Sequence, residues 1–374
     1  MINPRNYTAK QIDGALRMKT GSRKVTFRYD LLDRRDNEIG TLDGITTARV
    51  SYGEFRVIKR TGTFRLNEYQ QRNIDFLNDQ IRPNFILHMP DGGTVEWSLG
   101  VFMLNAPERE TTGRIKNRDF SALDKTIVID EDRFTSRYFI EAGTSVVGAV
   151  IRILNEAGIT KVNITENPAV LSGNREYPAG EKRLHAVNDL LSGINYTSIG
   201  VDAAGFMRAV PYVEPAQRPI TQIYNANHES IIHPTVSESL DIAGRPNVFV
   251  RTAIDLERGI ELTSTFENDD MLSPISTVNR ARRIVDHQEV YNITDQETLD
   301  NATRRAGIES TSAFSHLKFN TALMPTHGRA DTLLCTFPEA FDGSQKWSEM
   351  FWEMDLNQEG GGVMKHKARK VMKL

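Results

Sequence analysis

Residues 184–212, LHAVNDLLSGINYTSIGVDAAGFMRAVPY, constrain this chain more than any other stretch. Leu184, Val187, Leu190, Leu191 and Ile194 recur at helical spacing and form one apolar stripe, so a short amphipathic helix is predicted. Gly193 ends that helix in this reading. Strand-like runs at 195–201 and 206–213 then flank Asp202-Ala203-Ala204-Gly205, a turn whose glycine supplies positive φ. A helix that feeds a small hairpin packs onto something larger. The segment holds no catalytic residue, which favours an architectural protein over an enzyme.

Length and charge narrow the choice further. At 374 residues the chain exceeds one small core, and two or three domains are expected. The net charge of −3 gives no global drive toward nucleic acid or an acidic membrane. Local charge is less even. Arg5, Lys10, Arg17, Lys19, Arg23 and Lys24 are opposed only by Asp13, and Lys365, Lys367, Arg369, Lys370 and Lys373 follow the last acid, Glu359. These segments read either as solvated strand faces and a flexible arm or as an electrostatic partner site, with Arg17, Lys19, Arg23 and Lys24 the candidate arm. Cys335 is the single cysteine and sits in the alternation LLCTF, so a buried thiol is expected and no intrachain disulfide can form. Residues 1–22 lack the apolar core of a secretory signal, and no apolar run approaches the roughly 20 residues of a membrane span. Synthesis in the cytoplasm without membrane insertion is the expectation.

Residues 1–121 read as β. Val25, Phe27 and Tyr29 alternate with polar neighbours, and further strands are predicted at 45–52, 55–60 and 63–66. Pro90-Asp91-Gly92-Gly93 between 83–89 and 94–104 gives a clear hairpin, and 114–120 adds a strand. Residues 122–213 read as an α+β module. Its first helix covers 145–157, with Thr144 as N-cap and Gly158 after the end, and a short strand follows at 161–165. Residues 214–374 return to β through Pro215 and Pro219, with strands at 230–240, 247–253, 317–323, 332–337, 346–356 and 363–372. Within 346–356, Met350, Trp352, Met354 and Leu356 oppose Trp347, Glu349, Phe351 and Glu353, and Gly360-Gly361-Gly362 turns the chain into the final strand. One long helix interrupts this part, opened by a capping box at Thr294 and Glu297 and presenting Leu299, Ala302, Ala306 and Ala313.

No catalytic pattern stands out. A phosphate loop, a dinucleotide fingerprint and H-E-x-x-H are all missing, and 143–148 lacks the spacing of a nucleophile elbow, leaving Ser145 in the first turn of a helix. The histidines are scattered. His228 lies five residues from His233, His316 and His327 flank a strand, and His366 reads as a surface residue, so structural or solvent roles are expected. Asp130-Glu131-Asp132 and Asn268-Asp269-Asp270 do not follow the calcium-loop pattern and read as solvated loops. No catalytic, cofactor-binding or metal-ligating residue is assigned, and no cofactor is expected.

Four blocks carry a resemblance. GGTVEWSLGVFMLNAPERE at 92–110, the 184–212 segment, STVNRARRIVDHQEV at 276–290 and GGVMKHKARKV at 361–371 resemble, in order, parts of the minor tail proteins of long-tailed bacteriophages. These are similar to the baseplate hub, or tail-tip, protein. The resemblance implies an α+β, β-dominated fold with two tail-tube-like β domains, 1–121 and 214–374, flanking the α+β insert module 122–213. It also implies a virion protein at the tail tip, with three copies in a ring that adapts the tail tube and distal tail protein to the central tip. Its channel would pass the tape-measure protein and phage DNA without specific binding, and downstream tip or receptor-binding proteins would be further partners. A non-contractile tail is favoured. Trp97, Phe102, Trp347, Phe351 and Trp352 are the candidate subunit interface, since obligate interfaces are large and apolar. Some relatives carry a C-terminal extension with peptidase or receptor-binding function, whereas this chain stops at Leu374 after its last predicted strand. That departure argues against wall degradation. The competing readings are a carbohydrate- or receptor-binding module and an envelope-degrading hydrolase.

Overall fold

The computed structural model describes residues 1–19, 22–68, 74–227, 230–255, 260–290, 293, 295–312, 315–357 and 362–372. In chain order the elements begin with α1 (Ala9–Leu16), β1 (Lys24–Leu32), β2 (Glu38–Thr41), β3 (Ile45–Gly53), β4 (Arg60–Asn67), β5 (Gln80–His88), β6 (Thr94–Ser98), β7 (Phe102–Thr112) and β8 (Ile115–Leu123). The middle holds α2 (Thr126–Glu131), β9 (Tyr138–Ile140), α3 (Val146–Glu156), β10 (Val162–Ile164), β11 (Arg175–Tyr177), α4 (Arg183–Gly193), β12 (Gly200–Val201) and β13 (Met207–Ala209). The last part runs through β14 (Gln222–Asn225), β15 (Ile232–Leu240), β16 (Val248–Asp255), β17 (Ile260–Glu267), α5 (Thr277–Arg280) and β18 (Val285–Glu289). It ends with α6 (Gln296–Thr311), β19 (Ser315–Thr321), β20 (Thr332–Thr336), β21 (Gln345–Asp355) and β22 (Val363–Lys370). The fold is α+β and β-dominated, as expected.

Both ends of the chain enter one sheet. Its strand path is β15-β19-β22-β21-β3-β4-β8-β7-β5-β1-β2, with β6 on β5, and with β20 on β21 carrying β14. The splice between the ends is the antiparallel pair β3–β21, in register from Gly53 opposite Phe351 to Arg49 opposite Asp355. One hydrophobic cluster follows the splice, so Val50, Tyr52 and Phe64 share a core with Trp347, Trp352 and Met354. At the seam Tyr52 stacks on Trp352, with ring centroids 5.8 Å apart, and the buried Arg60 guanidinium lies 5.4 and 5.3 Å from the two rings. Cation–π contacts of this kind hold a desolvated charge against aromatic faces.

The register of β21 breaks between Glu349 and Phe351, and the backbone carbonyl of Met350 accepts from the Glu54 N–H at 2.8 Å. The bulge coincides with a change of neighbour. Residues 345–348 pair with β20, whereas 351–355 pair with β3. A bulge adds one residue and inverts the alternation beyond it. Trp347 and Glu349 before it and Trp352 and Met354 after it are therefore all buried, and the simple two-face alternation read from the sequence does not hold.

Residues 129–209 build a second core of their own. Val146, Val150, Ile153 and Leu154 of α3 meet Leu184, Val187, Leu190 and Leu191 of α4 over the small sheet β10-β13-β12, with β9 and β11 paired beside them. The turn at 202–205 forms as read, with Gly205 at φ 87°. Several local details differ from expectation. Ser145, not Thr144, caps α3 by accepting from Gly148 N–H. Helix α4 runs through Gly193 and stops at Ile194, where Asn195 takes φ 52°. A third unit pairs β17-β16-β18 under α6, whose Gly307 lies so close to Phe266 that a Cβ there would sit 2.1 Å from the ring. Thr294 lies outside the described residues; Asp295 is the N-cap and accepts from Thr298 N–H. The buried face of α6 is Leu299, Thr303, Gly307, Ile308 and Thr311 rather than the alanine stripe, and Ala313 lies outside the described residues.

The predicted strand at 55–60 is turn and bend up to residue 58, and Arg60 already opens β4. The predicted strand at 94–104 is two, parted at 99–101, where Gly100 lies under the Phe102 ring. Helix α1 carries no expectation from the sequence. Thr8 and Gln11 form its capping box, and Ile12, Ala15 and Leu16 dock it on the sheet. Gly360 and Gly361 lie outside the described residues, and Gly362 has φ 68°.

Candidate functional site

The five residues expected at a subunit interface separate cleanly. Trp97, Phe102, Trp347 and Trp352 are at most 7 % exposed and belong to the chain's own core. Trp97 meets Phe85 edge to face at 5.9 Å, and Trp347 packs on Phe341. Their apolar area is satisfied within one chain, which corrects their placement at a surface. Phe351 alone is half-buried, with the Arg56 guanidinium 4.9 Å above its ring.

The basic N-terminal segment is partly docked on the chain's own fold. Arg17 pairs with Asp13 at 2.8 Å and lies 5.7 Å from the Tyr224 ring. Arg23 donates to the Leu323 carbonyl and faces the Phe85 ring, and burial pushes its guanidinium down to about 10. Lys19 and Lys24 are exposed. The extreme N-terminus is clipped to the β5–β6 turn, where Asp91 accepts from Tyr7 at 2.5 Å and pairs with Arg5 at 3.2 Å.

Basic side chains also join the 129–209 module to the rest of the chain. Arg60 donates to the carbonyls of Val201 and Leu99 at 3.3 and 3.1 Å, Arg305 to that of Tyr196 at 2.9 Å, and Arg329 to those of Ser198 and Arg208. On the other side Asp36 receives Lys125 at 2.5 Å and Lys161 at 2.9 Å, with Gln80 donating at 2.9 Å. Burial alone would raise the Asp36 carboxyl, but these donors hold it below its ordinary range.

The most concentrated chemistry lies inside the sheet. Glu349 of β21, His366 of β22 and His327 of the loop after β19 converge with fully buried side chains, and their ligand-type atoms all lie within 4.8 Å of one another. His366 Nδ1 is 2.7 Å from Glu349 Oε1, and His327 Nδ1 is 2.5 Å from Glu349 Oε2 and 3.1 Å from Asp331 Oδ2. The far ring nitrogens are held by hydroxyls: His327 Nε2 by Tyr224 at 2.6 Å and His366 Nε2 by Thr321 at 2.9 Å. Phe319 stacks on His366 at 4.5 Å. Burial pushes Glu349 up, yet the facing imidazoles hold it down to about 2. Burial opposes charge on both histidines. On His327 it is overcome by Tyr224, Glu349 and Asp331, which raise it well above its ordinary value, whereas on His366 burial prevails and lowers it.

His366 is thus a core residue, contrary to the surface role read from the sequence. The signal was present in the period of β22, which places His366 between Met364 and Ala368 on the buried face. Glu349 was hidden by the bulge, and His327 by its position in a loop. His228 lies outside the described residues. Cys335 is buried as expected, and burial pushes its thiol up.

Among the described residues no helix is long and apolar enough to cross a membrane. No protein-family model matches the chain, and no curated protein matches it by sequence. Solved structures do. A tail protein from Neisseria meningitidis MC58 superposes with a TM-score of 0.65 at 9 % identity, covering 92 % of this chain and 96 % of that one. The 43 kDa tail protein of prophage MuSo2 from Shewanella oneidensis gives 0.63 at 8 % identity, covering 91 % and 98 %. The fold is that of prophage tail proteins. Prophage tail protein gp18 from Listeria monocytogenes EGD-e extends the likeness, with a TM-score of 0.55 at 10 % identity over 93 % and 95 % of the two chains. The resemblance read from four sequence blocks is borne out at the level of fold, and it spans nearly the whole of each partner.

Proposed function

We infer that this chain is a structural component of a phage-type tail tip, a hub that closes into a ring, three-fold by expectation, between the tail tube and the central tip. The carrying observation is the near-full-length likeness to tail proteins on both sides of each superposition. It is supported by where the sheet stops. β2 and β15 stand at the two ends of the strand path, short or largely solvent-facing, with backbone groups open to a neighbour. Edges of this kind are blunted in monomers and paired in assemblies, and head-to-tail pairing of unlike edges generates rings when the rotation closes.

With four of the five expected interface residues in the core, the subunit contact moves to other apolar side chains. Leu240, Ile242, Met271 and Leu272 are exposed in the region of β15 and the third unit, and they are the proposed contact together with Phe351. The groove on the sheet face carries Arg28 and Arg49 among Asp43, Glu108, Asp119 and Asp355. A lumen with this excess of acid repels phosphate and passes DNA without retaining it. Ejection through the ring, contacts with a distal tail protein, a tape-measure protein and downstream tip proteins, and a role without catalysis all belong to this reading.

Native mass spectrometry of the purified chain, paired with cryo-electron microscopy of tails, tests it. A trimer and a closed ring at the distal end are expected. A chain that stays monomeric at all concentrations and lies elsewhere in the particle overturns the hub, and hydrolysis of purified peptidoglycan by the isolated chain would replace it with the enzymatic reading.

A further inference from the structure

The geometry points to a structural divalent-metal centre, of the zinc class, held by His327 Nδ1, Glu349 and His366 Nδ1. Three features carry it. First, both imidazoles turn the same nitrogen toward one carboxylate, and all three donors are sealed from solvent. Two histidines and a carboxylate are a common zinc donor set, and imidazole with a carboxylate also suits other first-row divalent ions.

Second, His327 Nδ1 and Glu349 Oε2 lie 2.5 Å apart as an ion pair, yet neither makes a well-aligned hydrogen bond. Two buried polar atoms aimed at one point without an aligned hydrogen bond are costly as a bare pair. A cation between them, with modest side-chain shifts, satisfies both. Third, the outer contacts match those of metal-bound imidazole. Each histidine has its remaining ring nitrogen within hydrogen-bond distance of a hydroxyl, Tyr224 for His327 and Thr321 for His366, and Thr321, which donates to the Ala322 carbonyl, can accept from His366 Nε2–H and leave Nδ1 free to ligate. Asp331 Oδ2, 3.1 Å from His327 Nδ1 and also accepting from Gly328 N–H, is the nearest additional donor and can complete a tetrahedron.

Such a centre joins three separate pieces of chain. β21 and β22 are neighbours in the sheet, and the His327 loop joins β19 to β20. The ion acts as a staple in the C-terminal half of the core and has no open position for substrate. This inference is independent of the tail-tip reading, because a ring can assemble whether or not the core holds an ion.

Wild-type protein produced in zinc-supplemented medium and purified without chelator is the test. Stoichiometric Zn2+ by plasma emission spectroscopy is expected, with loss to dipicolinate, recovery on titration and a higher thermal midpoint on recovery. Co2+ in the stripped wild-type protein is expected to give the d–d bands of a tetrahedral N/O set without a thiolate charge-transfer band, which separates this centre from capture at Cys335. Glu349→Gln is expected to abolish binding, while Tyr224→Phe keeps every ligand and weakens Zn2+ by about tenfold through the lost outer contact. Metal at buffer background in the wild type with no Co2+ d–d bands overturns the centre. So does stoichiometric zinc that persists in His327→Gln/His366→Gln. The wild-type readouts decide even where a variant fails to fold.

Discussion

The 129–209 module and the spliced sheet solve the same problem in opposite ways. The module gathers its core from residues close in sequence, aliphatic for the most part, along three helices and a few short strands. The sheet gathers its core from both ends of the chain, is rich in aromatic rings and encloses ionisable groups: Arg60 at the seam and the His327, Glu349 and His366 cluster beyond it. Cores built from local contacts form faster than cores built on long-range pairing, because loop-closure entropy must be overcome before distant contacts stabilise. The two meet through Arg60 and Arg329 on carbonyls of the module and through Asp36, contacts that position the module without merging the cores.

This contrast can be broken first at the seam. Trp352→Ala removes the ring stacked on Tyr52 and the face under Arg60, and a loss of about 3–5 kcal/mol is expected for a buried aromatic. Denaturant melts followed by tryptophan fluorescence should show the sheet transition collapsing while helical signal from the module persists; simultaneous loss of both would mean one cooperative unit. Leu191→Ala is the converse. It opens the fully buried α4 face at a cost of about 2–5 kcal/mol, and hydrogen exchange should localise the loss to 129–209.

Gly307→Ala is next in size. Its new Cβ meets the Phe266 ring, and overpacking of this kind costs about 1–3 kcal/mol in the third unit. An unchanged melting temperature would show that α6 can slide on β17 and that its seat is loose. Last comes Asp36→Asn: its carboxylate is 5 % exposed, and removing the charge from between Lys125 and Lys161 is expected to cost about 1–3 kcal/mol at neutral pH. Its sign with pH is definite. The folded carboxyl lies below its unfolded value, so the stabilisation is present above about pH 4 and fades as pH falls through the lower folded value. Wild type and variant should therefore converge in acid. Persistent divergence there would assign the effect to packing rather than to the Lys125 and Lys161 pairs.

The module was legible in sequence because its signals are local. The stripes of α3 and α4, the 202–205 turn and Gly158 all fall where helical and turn chemistry put them. The hairpin around Asp91-Gly92 was legible for the same reason. Near misses were competitions between neighbours of similar chemistry: Ser145 against Thr144 for a cap, and Asn195 against Gly193 for a helix end, since asparagine also tolerates left-handed backbone. The seam was not legible. Nothing local in 45–53 or 345–355 names the other as its partner, and a bulge of one residue at Met350 inverted the faces of β21. That inversion sent Trp347 and Trp352 to one core where alternation had set them apart, and it concealed Glu349. The likeness to tail proteins was carried by short blocks, yet it placed the fold correctly where periodicity alone could reach only its class.

The pairing of β3 with β21 also sets an order of events during synthesis. β4 protects one flank of β3 soon after it leaves the ribosome, but the other flank waits until residue 355 has emerged. Throughout that interval the growing polypeptide carries an unsheltered row of amides beside Val50 and Tyr52, which is the template on which strands of other molecules add. Products released before residue 355 are therefore expected to be less soluble than the full chain, because this edge of β3 is left open.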